Sequence, residues 1–121
     1  MKYTAITVYG IPNCDTVKKA RTWLNDQGYD YVFHDFKKQG LPDKALSIWL
    51  NEAGWEKVLN RKGTSWRKLT PQEQVSITNS DTARPFLMAN PSLVKRPVIE
   101  WHAANGVEIT IGFQPDAWLA R

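Results

Sequence analysis

A chain of 121 residues, 42% hydrophobic and 23% charged, is long enough for one domain with a single core and needs no disulfide staples. Its net charge of +4 is spread without a block of like charges, which suits small anions and argues against nucleic acid as a partner. One cysteine excludes a secreted disulfide scaffold, the N-terminal apolar run is too short for a signal peptide, and no stretch nears the ~20 apolar residues that cross a bilayer; the expectation is a cytoplasmic monomer away from membranes, where a free thiol stays reduced.

Residues 4–9 alternate and are rich in β-branched and aromatic side chains, which predicts a first strand. Gly10, Ile11, Pro12 and Asn13 read as a turn. From residue 15 to 27 the pattern becomes helical, with Val17, Ala20, Trp23 or Leu24, and then Gln27 marking faces at spacings of three and four, and Gly28 is placed to end that helix. Alternation over 29–36 predicts a second strand. The first third is thus a βαβ unit with parallel neighbouring strands.

The middle reads as helical. Pro42 and Asp43 open a helix that Gly54 closes, and residues 60–65 form a polar, basic loop. Thr70, Pro71 and Glu73 have the form of a capping box, starting a short helix to residue 77. Residues 81–90 predict another helix, with Pro85 placed in its first turn. The last third predicts a strand over 98–101, a tight hairpin marked by Asn105 and Gly106, a return strand over 107–111, and a closing helix after Gln114 and Pro115. The order βαβ, helices, ββα is an α/β layout of thioredoxin type, a mixed sheet in one domain over 1–121 with a helical insertion at about 41–92. No repeat, low-complexity tract or linker interrupts it.

Cys14 falls where the first strand gives way to the first helix. A lone cysteine is most often a small buried hydrophobe. At a helix start, however, the first N–H groups lack carbonyl partners and the dipole adds positive charge, and both stabilise a thiolate. The thiolate is the nucleophile. Lys18 and Lys19 add positive charge one turn on, and Asp15 opposes it if it faces the sulfur. Asn13 and Thr16 are candidate hydrogen-bond donors to the sulfur.

Arg96 and Pro97 precede the strand over 98–101. In a thioredoxin-type layout a cis proline at this place faces the reactive cysteine and offers backbone to an extended substrate; the plain alternative is a trans proline at a strand start. The basic pairs Arg61–Lys62, Arg67–Lys68 and Lys95–Arg96 can grip a carboxylate or oxyanion or be solvated surface. Arg61 and Arg96, each in a loop among turn residues, are the anion-binding candidates. His34 and His102 lack metal-ligand spacing to each other or to Cys14, so no metal and no bound prosthetic group is expected. The six tryptophans read as core and core-edge packing.

The stretch from Gly10 through Ile11, Pro12, Asn13, Cys14, Asp15, Thr16 and Val17 to Ala20, with residues 60–64 and Arg96–Pro97 downstream, resembles the arsenate reductase/Spx-like family over essentially the whole chain, and within it the YffB-like branch of small reductases. The resemblance implies a thioredoxin-like core with a helical subdomain. It implies Cys14 as nucleophile and Arg61 and Arg96 as two of three arginines that surround an oxyanion in the arsenate reductases. The third falls at Gln114, which is neutral. In the Spx-like regulators a Cys-x-x-Cys pair forms a redox switch; here the second position is Val17.

These readings converge on a glutathione-dependent thiol reductase. Cys14 attacks a disulfide to form a mixed disulfide, and no second cysteine in the chain can resolve it. Glutathione as co-substrate, or a glutaredoxin partner, must do so. Arg61 and Arg96 would hold the anionic groups of glutathione or of the substrate, Pro97 would present backbone, and Gln114 would border the site. Two alternatives stand beside this reading: arsenate reduction coupled to glutathione and glutaredoxin, and a non-catalytic regulator that binds RNA polymerase.

Overall fold

Strand β1 (Ala5–Gly10) runs into helix α1 (Asp15–Asp26) and returns in β2 (Val32–Asp35) in a computed structural model that describes residues 3–120. Helix α1 forms because Val17, Ala20 and Leu24 recur on one face, and all three are fully buried. It stops in a Schellman motif. Gly28 takes φ +79, its N–H bonds Asn25 O, and the Tyr29 N–H reaches back to Leu24 O at 3.0 Å.

That stop consumes residues 29–31, so the second strand is shorter than the alternation over 29–36 predicts. Its far end is also cut. The Asp35 carboxylate accepts the Lys37 N–H at 2.9 Å, and a one-turn helix, α2 (Phe36–Gln39), begins at once.

Downstream come α3 (Asp43–Ala53), α4 (Trp55–Val58), α5 (Thr64–Arg67), α6 (Pro71–Ser76), α7 (Ser80–Ala89) and a 3-10 turn (Pro91–Leu93). Strands β3 (Val98–Ala103) and β4 (Gly106–Ile111) and helix α8 (Pro115–Leu119) follow. The sheet order is β2-β1-β3-β4. β1 lies parallel to β2 and antiparallel to β3, and β3 is antiparallel to β4. This is the α/β, thioredoxin-like architecture with a mixed sheet and a helical insert.

The chain divides into two units, one running up to Gln39 and again from Arg96 on, the other Gly40–Lys95. In the first, one face of the sheet carries Ile6 and Val8 of β1 opposite Trp101 and Ile99 of β3. α1 and α8 cover this face with Ala20, Leu24 and Trp118. Trp101 meets Trp118 at 5.8 Å between ring centres, and its Nε1 donates to Thr110 Oγ1 at 2.9 Å. A core indole therefore keeps its hydrogen bond. The opposite face is more polar. There the Tyr9 hydroxyl donates to Glu100 Oε1 at 3.2 Å, and His102 Nε2 lies 3.1 Å from the same oxygen. Burial, and after it the charge of Glu100, hold the Tyr9 phenol above its ordinary value.

In the second unit α3 buries Ala45, Leu46, Trp49 and Leu50. The strand-like segments around Leu59 and Val94 pair as a single bridge. The Asn60 N–H donates to Leu93 O and the Lys95 N–H to Val58 O, each at 2.8 Å. Arg84 ties α7 to α3 through the Asp43 carboxylate and Ser47 Oγ. The capping box at α6 is present in full, with Glu73 N to Thr70 Oγ1 at 3.1 Å and Thr70 N to Glu73 Oε1 at 2.8 Å.

Three local expectations need correction. Helix α5 starts at Thr64, inside the segment read as loop, because Gly63 takes extended backbone (φ −90, ψ 172) and its carbonyl accepts the Arg67 N–H at 3.3 Å, closing a first turn. Asn79 and Thr82 form a second capping box that starts α7 at Ser80, so Pro85 falls in the second turn. The hairpin does not turn on Asn105–Gly106. Ala103 pairs with Gly106, leaving Ala104 and Asn105 as the loop, and neither takes a positive φ among the described residues. Gly106 alone carries it, at +139, so the mirror-image turn that Asn-Gly favours is not used.

Candidate functional site

The strand register gathers the candidate residues of the first unit at one end of the sheet. Gly10 ends β1 opposite Asp35, the last residue of β2. Tyr9 pairs with Val98, the first residue of β3, and Val98 pairs with Ile111, the last of β4. The loop that leaves β1 toward Cys14, the Arg96–Pro97 entry into β3 and the segment from Gly112 to Gln114 therefore share that end. Open α/β sheets place ligands in the same way, beyond the strand ends where connections diverge.

Cys14 is the N-cap residue of α1, with extended backbone (φ −141, ψ 122). Its carbonyl accepts the first intrahelical bond, from Lys18 N at 2.9 Å, and its side chain caps nothing. The thiol is free and partly exposed. The N–H groups of Asp15, Thr16 and Val17 precede the first helical bond, and the positive end of a three-turn helix lies beside the sulfur.

The strand-to-helix connection is tight. A Cβ on Gly10 would sit 2.8 Å from Val17 Cγ2 and 3.3 Å from Cγ1. Only glycine lets α1 seat its buried Val17 against the end of β1, and that seating sets where Cys14 emerges. Asn13 is exposed and Thr16 half-buried, and neither forms a hydrogen bond to the Cys14 sulfur in this structure. Asp15, Lys18 and Lys19 point to solvent.

The Arg96–Pro97 peptide bond is cis. Pro97 is buried and Arg96 half-buried, and the Pro97 carbonyl accepts the Gly112 N–H at 2.9 Å. That bond ties the β3 entry to the β4 exit. Gln114 is the N-cap residue of α8, and Pro115 is its first helical residue. Its side-chain amide donates to Ile111 O at 2.6 Å. Gln114 is thus neutral, with its side-chain amide turned back onto the loop.

Arg61 belongs to the second unit. It lies over the Trp55 ring at 5.3 Å and 3.7 Å from the Glu56 carboxylate, with its side chain about half exposed. The turn after it is built, not loose. Lys62 N donates to Asn60 Oδ1, Arg67 Nη1 donates to Lys62 O at 2.9 Å, and a Cβ on Gly63 would meet Asn60 Nδ2 at 2.9 Å.

Among the described residues no group of three or more His, Cys, Asp or Glu is placed to hold a metal ion, and no helix is long and apolar enough to cross a membrane. Two polar arrangements escaped the sequence reading. One is the chain Tyr9–Glu100–His102. The other is Arg21, whose Nε donates to the Tyr31 hydroxyl at 3.1 Å. Residue spacing gives no signal for the Tyr9–Glu100 contact, because its partners are far apart in the chain. The alternation of β3 only places Glu100 and His102 on one face.

The comparisons with known proteins agree with this geometry. The sequence pattern of the ArsC family matches residues 9–121. A protein of Haemophilus influenzae, uncharacterized itself, is 44% identical over 94 residues, covering 78% of this chain and 82% of its own. The global transcriptional regulator Spx of Streptococcus pyogenes serotype M3 is 30% identical over 122 residues, covering 96% of this chain and 86% of its own. Among solved structures, the YffB protein superimposes with a TM-score of 0.87 at 42% identity, over 96% of this chain and 97% of that one. An arsenate reductase (ArsC) related protein from Brucella melitensis does so with a TM-score of 0.72 at 43% identity, over 97% and 93%. With a family pattern that runs from β1 to the last residue and relatives of this identity across nearly the whole length, the chain belongs to the ArsC family.

Proposed function

We propose that this protein is a glutathione-dependent thiol reductase with Cys14 as its single nucleophile. The observation that carries the reading is the partly exposed, unpaired Cys14 at the N-cap of α1 in a chain with no other cysteine. The sulfur belongs to the residue at the positive end of α1, and the lack of a second cysteine in the sequence dictates the rest of the cycle.

In the first step the Cys14 thiolate attacks the glutathione sulfur of a glutathionylated protein. The Cys14–glutathione S–S bond forms, the original S–S bond breaks, and the substrate thiolate leaves. In the second, a glutathione thiolate attacks the glutathione sulfur held on Cys14. Oxidised glutathione leaves and the Cys14 thiolate returns. Overall one disulfide is exchanged for another: the substrate sulfur is reduced to a thiol, the incoming glutathione sulfur is oxidised, and the transferred glutathione sulfur stays at the disulfide level throughout. A glutaredoxin can replace free glutathione in the second step. Arg96 supplies positive charge for a glutathione carboxylate, Pro97 supplies a rigid backbone edge, and Asn13, Thr16 and Gln114 are polar neighbours that orient the bound tripeptide.

Two features set the neighbouring readings back. Gln114 offers no charge to an oxyanion, and its amide is already bonded to Ile111 O. Losing one charged hydrogen bond costs about 1.5–3 kcal/mol, which weighs against arsenate as substrate. Val17, fully buried on α1, stands where an Spx-type switch needs its second cysteine.

Steady-state kinetics test the proposal. With a glutathionylated peptide as substrate and oxidised glutathione as the reported product, initial rates at several fixed glutathione concentrations should give parallel double-reciprocal lines, the mark of a covalent intermediate formed before the second thiol enters. Intersecting lines, or no turnover above the reaction without protein, would overturn it.

A further inference from the structure

The thiol chemistry makes no use of the far half of α1. Arg21 lies two turns beyond Cys14, about 10 Å along the helix axis. With Asn25, Tyr29, Asp30, Tyr31 and Phe33 it lines an open groove of about 300 Å³, at the small end of the range for small-molecule sites. Arg21 is held there in a fixed pose. Its Nε donates to the Tyr31 hydroxyl at 3.1 Å, and its guanidinium lies over Phe33, 4.0 Å from the ring centre. Among the described residues no acceptor reaches its two terminal nitrogens, so the outer fork is open to a planar two-oxygen group such as a carboxylate. The Tyr31 oxygen accepts from Arg21 and keeps its own proton to donate to the same group.

The same groove carries a negative charge. Asp30 is exposed, and among the described residues it forms no ion pair with Arg21 or with any other cation. Arg21 is pinned on its aromatic floor, so the two opposite charges line one groove without neutralising each other. Asp30 also follows directly on the stop of α1, whose last turn holds no basic residue, and the carbonyl end of a helix attracts a cation. From these observations we infer that the groove binds an α-amino-acid group, with its carboxylate on Arg21 and its ammonium at Asp30. A free amino acid and the γ-glutamyl end of a peptide such as glutathione both carry that group.

Other ligand chemistries fit less well. A simple carboxylate would use Arg21 and be repelled by Asp30, and a polyanion more so. An amine would use Asp30 and be repelled by Arg21. A metal ion would meet the same repulsion, and among the described residues no set of metal-ligating groups gathers here. A zwitterion brings both charges in the sense the groove presents them. Tyr29 and Phe33 add apolar surface for the rest of the ligand, and the Asn25 amide adds a donor and an acceptor.

The test is amide chemical-shift titration of the whole chain with four probes that carry no sulfur: L-glutamine, γ-glutamylglycine, propionate and ethylamine. The expected result is saturable shifts on Arg21, Asn25 and residues 29–33 with an amino-acid probe, at an affinity at least tenfold tighter than that of either half-ligand. Equal affinity for the two amino-acid probes names the free amino acid as the source of the group, and a tenfold preference for γ-glutamylglycine names the peptide end. Arg21→Gln and Asp30→Asn should each weaken the better probe at least tenfold, while Asp30→Asn should bind propionate as well as the unaltered protein or better. A merely structural role for Asp30 would not produce that opposite response. The half-ligand comparison leaves the protein unaltered, so it stands even if Arg21→Gln is poorly folded.

Four outcomes would overturn the inference: no saturable shifts up to about 10 mM of either amino-acid probe, a half-ligand that binds as tightly as the amino-acid probes, shifts centred on residues 13–16 instead of the groove, or an Asp30→Asn protein that binds the amino-acid probes unchanged. Because binding is read with Cys14 unmodified and with no thiol or disulfide present, failure of this site and failure of the reductase reading are separable.

Discussion

Gly10→Ala probes the link between fold and site, because the same close contact that seats α1 also delivers Cys14. The added Cβ would lie 2.8 Å from a methyl of Val17 and 3.3 Å from the other. Val17 is β-branched, fully buried and on a helix, so it cannot swing away as the tip of a long side chain can. Relief requires α1 to move outward by several tenths of an ångström. Overpacking of this kind costs about 1–3 kcal/mol, and at this length each kcal/mol lowers Tm by about 3–5 °C. Val17→Ala removes two buried methyls and costs about 2–3 kcal/mol by itself, but it opens the space the new Cβ needs. In urea unfolding followed by tryptophan fluorescence, the double variant should therefore be at least ~1 kcal/mol more stable than the two single losses predict. Gly10→Ala should also slow thiol transfer by tenfold or more, since sub-ångström displacement of a reacting group is costly, and Val17→Ala in the same chain should restore part of the rate. Additive losses, or a Gly10→Ala cost below ~0.5 kcal/mol, would refute the contact as the determinant of the Cys14 position.

Other consequences are simpler. Thr70→Ala removes one half of the α6 capping box and should cost about 0.5–2 kcal/mol with no effect on thiol transfer, read by urea unfolding and activity side by side. Tyr9 keeps its proton more tightly in the folded protein than in the unfolded chain. Its contribution to stability is therefore complete below pH ~10 and declines as pH rises above that value. Tyr9→Phe should flatten the alkaline loss of stability seen in unfolding curves between pH 9 and 11, and an unchanged slope would count against the Glu100 contact. Arg96→Ala should raise KM for the glutathionylated substrate about tenfold while the far-ultraviolet spectrum stays native; loss of the folded spectrum would mark Arg96 as structural.

Much of this was readable from residues in order. Val17 and Ala20 announce the buried face of α1, with the choice between Trp23 and Leu24 made only by packing, Gly28 announces its end, and Thr70 and Glu73 announce the start of α6, because each signal spans only a turn or two of chain. The position of Cys14 followed from the same local grammar. The cis Arg96–Pro97 bond followed only from the layout, since the dipeptide alone does not choose an isomer. The short β2 was hidden because the Schellman stop of α1 and the side-chain turn at Asp35 both compete for residues that alternate like a strand. Pro85 misled because a capping box at Asn79 outweighed the usual place of proline in a helix. The Tyr9–Glu100–His102 chain and the Arg21 groove could not be read at all. They exist only once α1, β2 and β3 are packed, and no periodicity encodes which polar groups will meet across a sheet.

The most direct measurement is intact-protein mass spectrometry of the protein mixed with a glutathionylated peptide in the absence of glutathione, then with glutathione added. The account predicts one glutathione adduct, located on Cys14, that vanishes on adding glutathione as oxidised glutathione is released. It also predicts a folded Cys14→Ser variant that never acquires the adduct and does not turn over. A wild-type protein that stays unmodified, or a Cys14→Ser variant that reduces the peptide at the same rate, would contradict the claim that Cys14 is the nucleophile.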